Sequence, residues 1–195
     1  MTARARAARA IGRASVRVAR AEAAAAAGLA LAVCALVLLN VATRSLGAAL
    51  YWVDEAAIYA MIWSAFLGAS VTVHRRSAIS IDLLADALPP RGARVVAALG
   101  QVAILVFGLA LLVVCWRWYD PLGLAAAGFA PRAFAAETFN FIYREPTLTL
   151  GLPKWPVWLV MPLFAAGVAL HAAANLVDPD RAAPRAPRAE LGEVD

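Results

Sequence analysis

Two histidines, His74 and His171, are the only imidazoles in this 195-residue chain. They are the first candidates for acid–base work, because an imidazole changes charge near neutral pH. Each stands near the end of an apolar stretch, on what the charge pattern makes the same side, so the two can approach each other. Such an interfacial pair faces lipid headgroups more often than a substrate, and that is the reading taken; a small membrane enzyme built on the pair is the alternative. Asp82 and Asp86 lie four apart on one helical face, but no third ligand stands nearby to complete a hard-cation site. Cys34 and Cys115 fall inside apolar runs, which argues against a disulfide framework or a CxxC metal site. Neither a GxxxxGK[ST] loop nor a GxGxxG turn occurs, so there is no phosphate cradle for a nucleotide. No catalytic residue, metal or cofactor is expected.

The elements that carry these residues follow from composition. Hydrophobic residues make up 63% of the chain and charged ones only 16%, where a soluble domain has about 25% charged. The expected fold is therefore all-α and integral to a membrane. Four windows have the length that a roughly 30 Å hydrocarbon core requires: 23–43, 56–74, 95–116 and 155–177. Ser64, Ser70 and Thr72 make the second less apolar, and such small hydroxylated residues face other helices rather than lipid. Gly68, flanked by Ser64, Ala69 and Thr72, belongs to that small-residue face, unless it is an incidental glycine in an Ala/Gly-rich chain. Pro156 and Pro162 predict a kink in the fourth span.

Nucleic-acid binding is excluded by the distribution of charge, although the net charge is +5. Thirteen of the 18 Lys and Arg lie in residues 1–22, in the connection between the second and third spans, and in the tail after residue 177. By the positive-inside rule these segments are cytoplasmic, as are both termini. Trp52, Trp116, Trp118, Trp155 and Trp158 gather at the opposite interface as an aromatic belt. A cleaved signal peptide fits poorly, since the first apolar run exceeds the usual 7–15 residues and no small-residue cleavage site follows it. A mitochondrial presequence ranks lower, because the same arginines already serve as the topology signal.

Three segments are expected outside the spans. In residues 1–22, Arg6, Arg9, Arg13, Arg17 and Arg20 share a helical strip opposite Ile11 and Val18. That is either a basic amphipathic helix on an anionic surface or a solvated basic arm. Ile81, Leu84, Ala85 and Leu88 share one face of a short interfacial helix stopped by Pro89-Pro90, with Asp82 and Asp86 on the other. The long outer connection, 117–154, is expected to hold a surface helix over RAFAAETFNFIYRE, with Phe134, Phe141 and Ile142 on its apolar side. The Arg/Pro/Ala tail, 178–195, reads as disordered.

No span carries Asp, Glu, Lys or Arg near its centre, where carriers and proton relays keep them. The Gly-rich broken half-helices of secondary carriers are also lacking. The chain therefore reads as a subunit. At its outer hairpin, Arg44 closes the first span and Asp54-Glu55 open the second, so Arg44 either pairs with one carboxylate or snorkels to lipid phosphates; Trp52 anchors the turn.

Five short patterns then stand in order: Asn40-Val41-x-x-Arg44; Trp52-x-Asp54-Glu55; Trp63-x-x-Phe66-Leu67-Gly68-Ala69; Arg75-Arg76-x-x-Ile79-x-Ile81-Asp82-Leu83-Leu84; and Gly151-Leu152-Pro153-x-Trp155. Together, over about Leu36 to Leu176, they make the chain resemble the small permease subunit (DctQ-type) of tripartite ATP-independent periplasmic (TRAP) transporters. It departs from that family at Ala78, where His is common, and in a longer stretch around Gly123–Arg144. The resemblance implies a multi-pass protein of a bacterial inner membrane and no enzyme. It implies as partners a large TRAP permease subunit, a periplasmic substrate-binding protein and the lipid bilayer, serving sodium-coupled uptake of an organic acid. Asn40, Arg44, Trp52, Asp54, Glu55, Trp63, Gly68 and Asp82 are the structural or interface candidates. An unrelated four-span assembly factor is the other reading.

Overall fold

The computed structural model describes residues 3–76 and 88–178. The interfacial helix expected around Ile81–Leu88, with Asp82 and Asp86, and the tail after Asp178 therefore lie outside the described residues. The described chain is all helical: α1 (Ala3–Ser45), α2 (Tyr51–Arg75), α3 (Pro90–Tyr119), α4 (Pro121–Ala126), α5 (Pro131–Thr138), α6 (Trp155–Trp158) and α7 (Val160–Val177). Four stretches are long and apolar enough to cross a membrane: Arg6–Ser45, Tyr51–Arg75, Pro90–Ala126 and Trp155–Val177.

The helix ends follow local chemistry. α2 stops at Arg76, which takes a left-handed conformation (φ 53°) and returns its N–H to Thr72 and Val73. α3 begins with Pro90 at its first position, where the missing N–H costs nothing. It ends at Asp120, whose left-handed backbone and side chain start α4 by accepting from Gly123 N at 2.9 Å. Gly47 (φ 73°) makes the tight link from α1 to α2.

α1 runs unbroken for 43 residues, about 64 Å, so it is more than twice as long as the hydrocarbon core requires. A boundary at residue 22 falls within it. The basic segment is neither a separate surface helix nor a loose arm: Ser15, Ala19 and Glu22 are buried while Arg6, Arg9, Arg13, Arg17 and Arg20 stay exposed. Ile11 and Val18 stand on the same bundle-facing side, half-buried beside Ser15 and Glu22.

α7 is the centre of the bundle. It packs against α1, α2 and α3, and Val160, Ala165, Val168, Ala169, Ala172 and Ala174 are all buried. Small residues bring the helices close. A Cβ on Gly108 would stand 3.0 Å from Ala169 N and 3.1 Å from Ala165 O, so α3 and α7 touch backbone to backbone there. The expected irregularity in the fourth span lies at Leu159, between α6 and α7. Pro162 lacks an N–H and crowds the Trp158 carbonyl one turn back.

The outer connection departs from the expected helix over 132–145. α5 ends at Thr138, and Phe139 turns left-handed (φ 55°). Polar side chains take the bonds that a longer helix would need. Thr138 Oγ1 donates back to Phe134 O at 2.7 Å and accepts from Asn140 N at 3.2 Å; Asn140 Oδ1 accepts from Ile142 N at 3.1 Å. Phe134 and Ile142 are buried, but Phe141 is exposed, as is Phe139. The segment then pairs Pro146 with Pro153 in an isolated bridge.

Candidate functional site

Polar side chains concentrate at the two ends of the bundle. One end carries the tryptophans and the α1–α2 link, and the other carries most of the described arginines.

At the aromatic end, Arg44 Nη2 lies 2.7 Å from Asp54 Oδ2 and Arg44 Nε donates to Asn40 Oδ1 at 2.9 Å. Asn40 Nδ2 closes the triangle by donating to Asp54 Oδ1. Asn40 and Arg44 sit one turn apart on α1, and Asp54 lies in the first turn of α2, where the helix dipole favours a carboxylate. The side chains of Arg44 and Asp54 are 56% and 44% exposed, so the pair contributes about 0–1 kcal/mol. Of the two carboxylates offered to Arg44 by the sequence, Asp54 is the partner.

Glu55 has another task. It is buried, and its carboxylate accepts from Tyr59 OH (2.7 Å), Leu148 N (2.8 Å), Thr149 N (2.7 Å), Thr149 Oγ1 (2.7 Å) and Leu150 N (3.0 Å). Three successive backbone N–H groups aimed at one anion form a nest. The loop bearing them is drawn tight by Thr147 N to Leu152 O (2.7 Å), Leu152 N to Thr147 Oγ1 (2.9 Å) and Gly151 at φ 67°. Glu55 therefore pins the outer connection onto α2, more than ninety residues away in sequence. Leu148 and Leu152 remain exposed on the loop.

Aromatic rings brace the same end. Tyr143 stands among Phe134, Tyr119 and Trp155, with centroids at 5.5, 6.3 and 6.1 Å. Its hydroxyl donates to Tyr119 O at 2.6 Å, and burial, helped by the charge of Asp120, pushes its phenol up. Tyr119 OH donates to Trp155 O at 2.9 Å. Trp63 Nε1 donates to Val157 O at 2.7 Å, just ahead of the break at Leu159. Trp52 is 41% exposed. Gly68 lies away from close packing: a Cβ there would meet nothing within 4 Å. Ser64, four residues earlier, is used within the chain and donates to Ala26 O at 2.9 Å.

At the arginine-rich end the histidines do not face headgroups. His171 is fully buried, and the two rings meet at 5.0 Å between centroids. Ser15 Oγ lies 2.9 Å from His74 Nδ1 and 2.8 Å from His171 Nδ1. His171 Nε2 lies 3.0 Å from Glu22 Oε2, and Ser70 Oγ donates to Glu22 Oε1 at 2.9 Å. Gly167 makes room for this contact, because a Cβ there would land on Glu22 Oε1 and 2.6 Å from Ser70 Oγ. Nearby, Asn175 Nδ2 donates to Val73 O (2.9 Å) and Gln101 Oε1 (3.1 Å), and Arg76 donates to the carbonyls of Asn175 (2.7 Å) and Asp178 (2.9 Å).

Ser15, His171 and Glu22 stand in nucleophile–base–acid order. However, Ser15 is fully buried and its hydroxyl is shared between two rings, so the arrangement works as a clamp on α1, α2 and α7. The sequence signal for it was the spacing of Ser15, Ala19 and Glu22 on the side opposite the arginines. Among the described residues, no group of three or more His, Cys, Asp or Glu could hold a metal.

A family model described as "Tripartite ATP-independent periplasmic transporters, DctQ component" matches residues 33–182. Among curated proteins, the C4-dicarboxylate TRAP transporter small permease protein DctQ of Vibrio cholerae is 29% identical over 87 residues. That alignment covers 44% of this chain and 38% of the relative's length. No solved structure matches.

Proposed function

The chain belongs to the DctQ component family of TRAP transporters, and from that premise we propose that it is the small permease subunit that supports a large permease and the docking of a periplasmic binding protein. As a member of that family with four apolar helices, it is a multi-pass protein of the inner membrane. The observation that carries the proposal is the reach of the family match, which takes in three of the four candidate spans whole and the end of the first from residue 33 onward.

The geometry supports a scaffold rather than a carrier. The described buried carboxylates, Glu22 and Glu55, are both consumed by internal bonds. α3 leaves Val106, Phe107, Leu109, Val113 and Val114 at least half exposed, an apolar side for the bilayer and the large permease to share. By the charge distribution, the arginine-rich end and both termini are cytoplasmic and the aromatic end is periplasmic. The loop held by Glu55 then lies on the side where a binding protein docks. The solute is by this reading a small organic acid, as the relative's C4-dicarboxylate name has it, taken up with sodium. Gly68, with no helix of its own chain against it, is left for the partner permease.

Reconstitution tests this. Liposomes holding the chain alone should move no organic acid, and uptake should require the large permease, the binding protein and a sodium gradient. Saturable uptake by the chain alone would refute the scaffold role.

A further inference from the structure

The outer connection carries apolar surface that the packing of the bundle leaves unused. Phe129 and Phe139 are 72% and 81% exposed, and both take a left-handed backbone (φ 56° and 55°). Phe139 caps α5, and Phe129 closes the turn after α4 by returning its N–H to Leu124 O. Glycine or asparagine is the usual choice at such positions, because a bulkier side chain is strained there. An exposed phenylalanine is thus unfavourable twice in water, once for its backbone and once for its ring. Leu122 of α4 and Phe141 beyond α5 are exposed as well.

Depth, backbone bonding and charge together indicate what covers these side chains. Asn140 Nδ2 donates to Trp118 O, and Tyr143 OH donates to Tyr119 O, both at 2.6 Å. Phe139 and Phe141, on either side of Asn140, are therefore tied to the last turn of α3. That turn carries Trp116 and Trp118, and tryptophans collect at a membrane interface. The exposed apolar residues of α3, Val113, Val114 and Trp116, are followed beyond Asp120 by Leu122. The backbone of the turn is closed on itself. The N–H groups of Ala127, Gly128, Phe129 and Ala130 donate to the carbonyls of Gly123, Ala125, Leu124 and Ala127 at 3.0, 3.0, 2.9 and 3.2 Å. Pro131 has no N–H to place. A turn in water can leave such groups to solvent, whereas a turn in lipid must bond them internally. Residues 121–131 hold no charged side chain. Asp120, just ahead, accepts from the Gly123 N–H. Arg117, Arg132 and Arg144 flank the segment in sequence and are exposed, with stems long enough to reach phosphates from apolar surroundings.

We propose that α4, the turn at Phe129 and the chain through Phe141 form an interfacial anchor, seated in the bilayer leaflet at the aromatic end of the bundle. Leu122, Phe129, Phe139 and Phe141 enter the boundary between headgroups and acyl chains, and Arg117, Arg132 and Arg144 bind lipid phosphates. The outer end of α3 is then held by lipid as well as by helix packing.

Nitroxide labels test this on the full chain in nanodiscs of phosphatidylethanolamine and phosphatidylglycerol, with Cys34 and Cys115 replaced by alanine. Labels on Phe129→Cys and Phe139→Cys should collide several-fold more often with oxygen, which concentrates in lipid, than with a water-soluble nickel chelate. Leu122→Cys, on a regular helical backbone, repeats the measurement in case a label at a left-handed position disturbs the turn. Nickel collisions in excess at Leu122 and at either phenylalanine would overturn the anchor and leave these side chains to a protein partner. A second measurement takes opposite signs in the two cases. Replacing both rings together, Phe129→Asn with Phe139→Asn, keeps the left-handed backbone at lower strain. Amide exchange over residues 124–142 in nanodiscs should then become several-fold faster than in the wild type, because lipid no longer holds the segment. Unchanged or slower exchange would mean that the rings stood in water and only strain was relieved, and the anchor would be refuted. Neither readout depends on which side of the membrane the aromatic end faces, so both stand apart from the transport test.

Discussion

Adjacent residues on a helix point about 100° apart, and at Asp54 and Glu55 that rotation separates a surface ion pair from a buried anchor. Reversing charge at Arg44 (Arg44→Glu) or Asp54 (Asp54→Arg) should each destabilise the chain slightly, and the double swap should recover part of the loss. We expect a coupling of about 0.2–1 kcal/mol from a double-mutant cycle of unfolding in detergent, because both side chains are half exposed. Glu55→Gln acts differently. It removes the anion that three backbone N–H groups share, so hydrogen exchange at Leu148, Thr149 and Leu150 should speed up several-fold while the ends of α1 and α2 keep their protection. Equal protection in both proteins would mean that the loop holds itself. The two glycines can be told apart in the same way. Gly167→Ala drives a Cβ into the Glu22–Ser70 contact and should cost about 1–3 kcal/mol of unfolding free energy. Gly68→Ala meets open space and should be nearly neutral in the isolated chain.

Among the elements, the fourth span is where a local rule and a distant contact meet. Pro162 removes one hydrogen bond and displaces the Trp158 carbonyl, and Trp63 from α2 binds the carbonyl of Val157 beside the break. Trp63→Phe keeps most of the ring packing but forfeits that bond. It should lower stability by about 1 kcal/mol, measured by thermal unfolding in detergent. Pro162→Ala should join α6 to α7 and slow amide exchange around Leu159; unchanged exchange there would assign the break to packing instead. The shortening of α5 obeys the same competition. Thr138 and Asn140 offer the backbone closer partners than the next helical turn, which the apolar spacing of Phe134, Phe141 and Ile142 did not reveal.

For the whole molecule, the proposed topology predicts which side each end faces. Single cysteines at Arg13 and Leu148, both exposed, in a background without Cys34 and Cys115, should label from opposite sides of the cell membrane, with only Leu148→Cys reached from the periplasm. Labelling of both from outside would reverse or break the four-span arrangement. The number and order of the apolar helices were legible in the sequence, because burial in lipid demands about 20 apolar residues wherever a helix crosses and composition alone reports that. The partnership of Arg44 with an α2 carboxylate was legible too, since a five-residue link between Ser45 and Tyr51 leaves the helix ends no choice but proximity. Three things were decided only by tertiary structure: that Asp54 rather than Glu55 takes Arg44, that Glu55 reaches residues 148–150, and that Ser15 and Glu22 meet both histidines. Each joins positions set by the rotation and tilt of packed helices. A hydrophobic pattern specifies which residues leave water, but which polar side chains then meet depends on how α7 seats against α1, α2 and α3, and that is fixed by close contacts such as Gly108 on Ala169 and Gly167 beside Glu22.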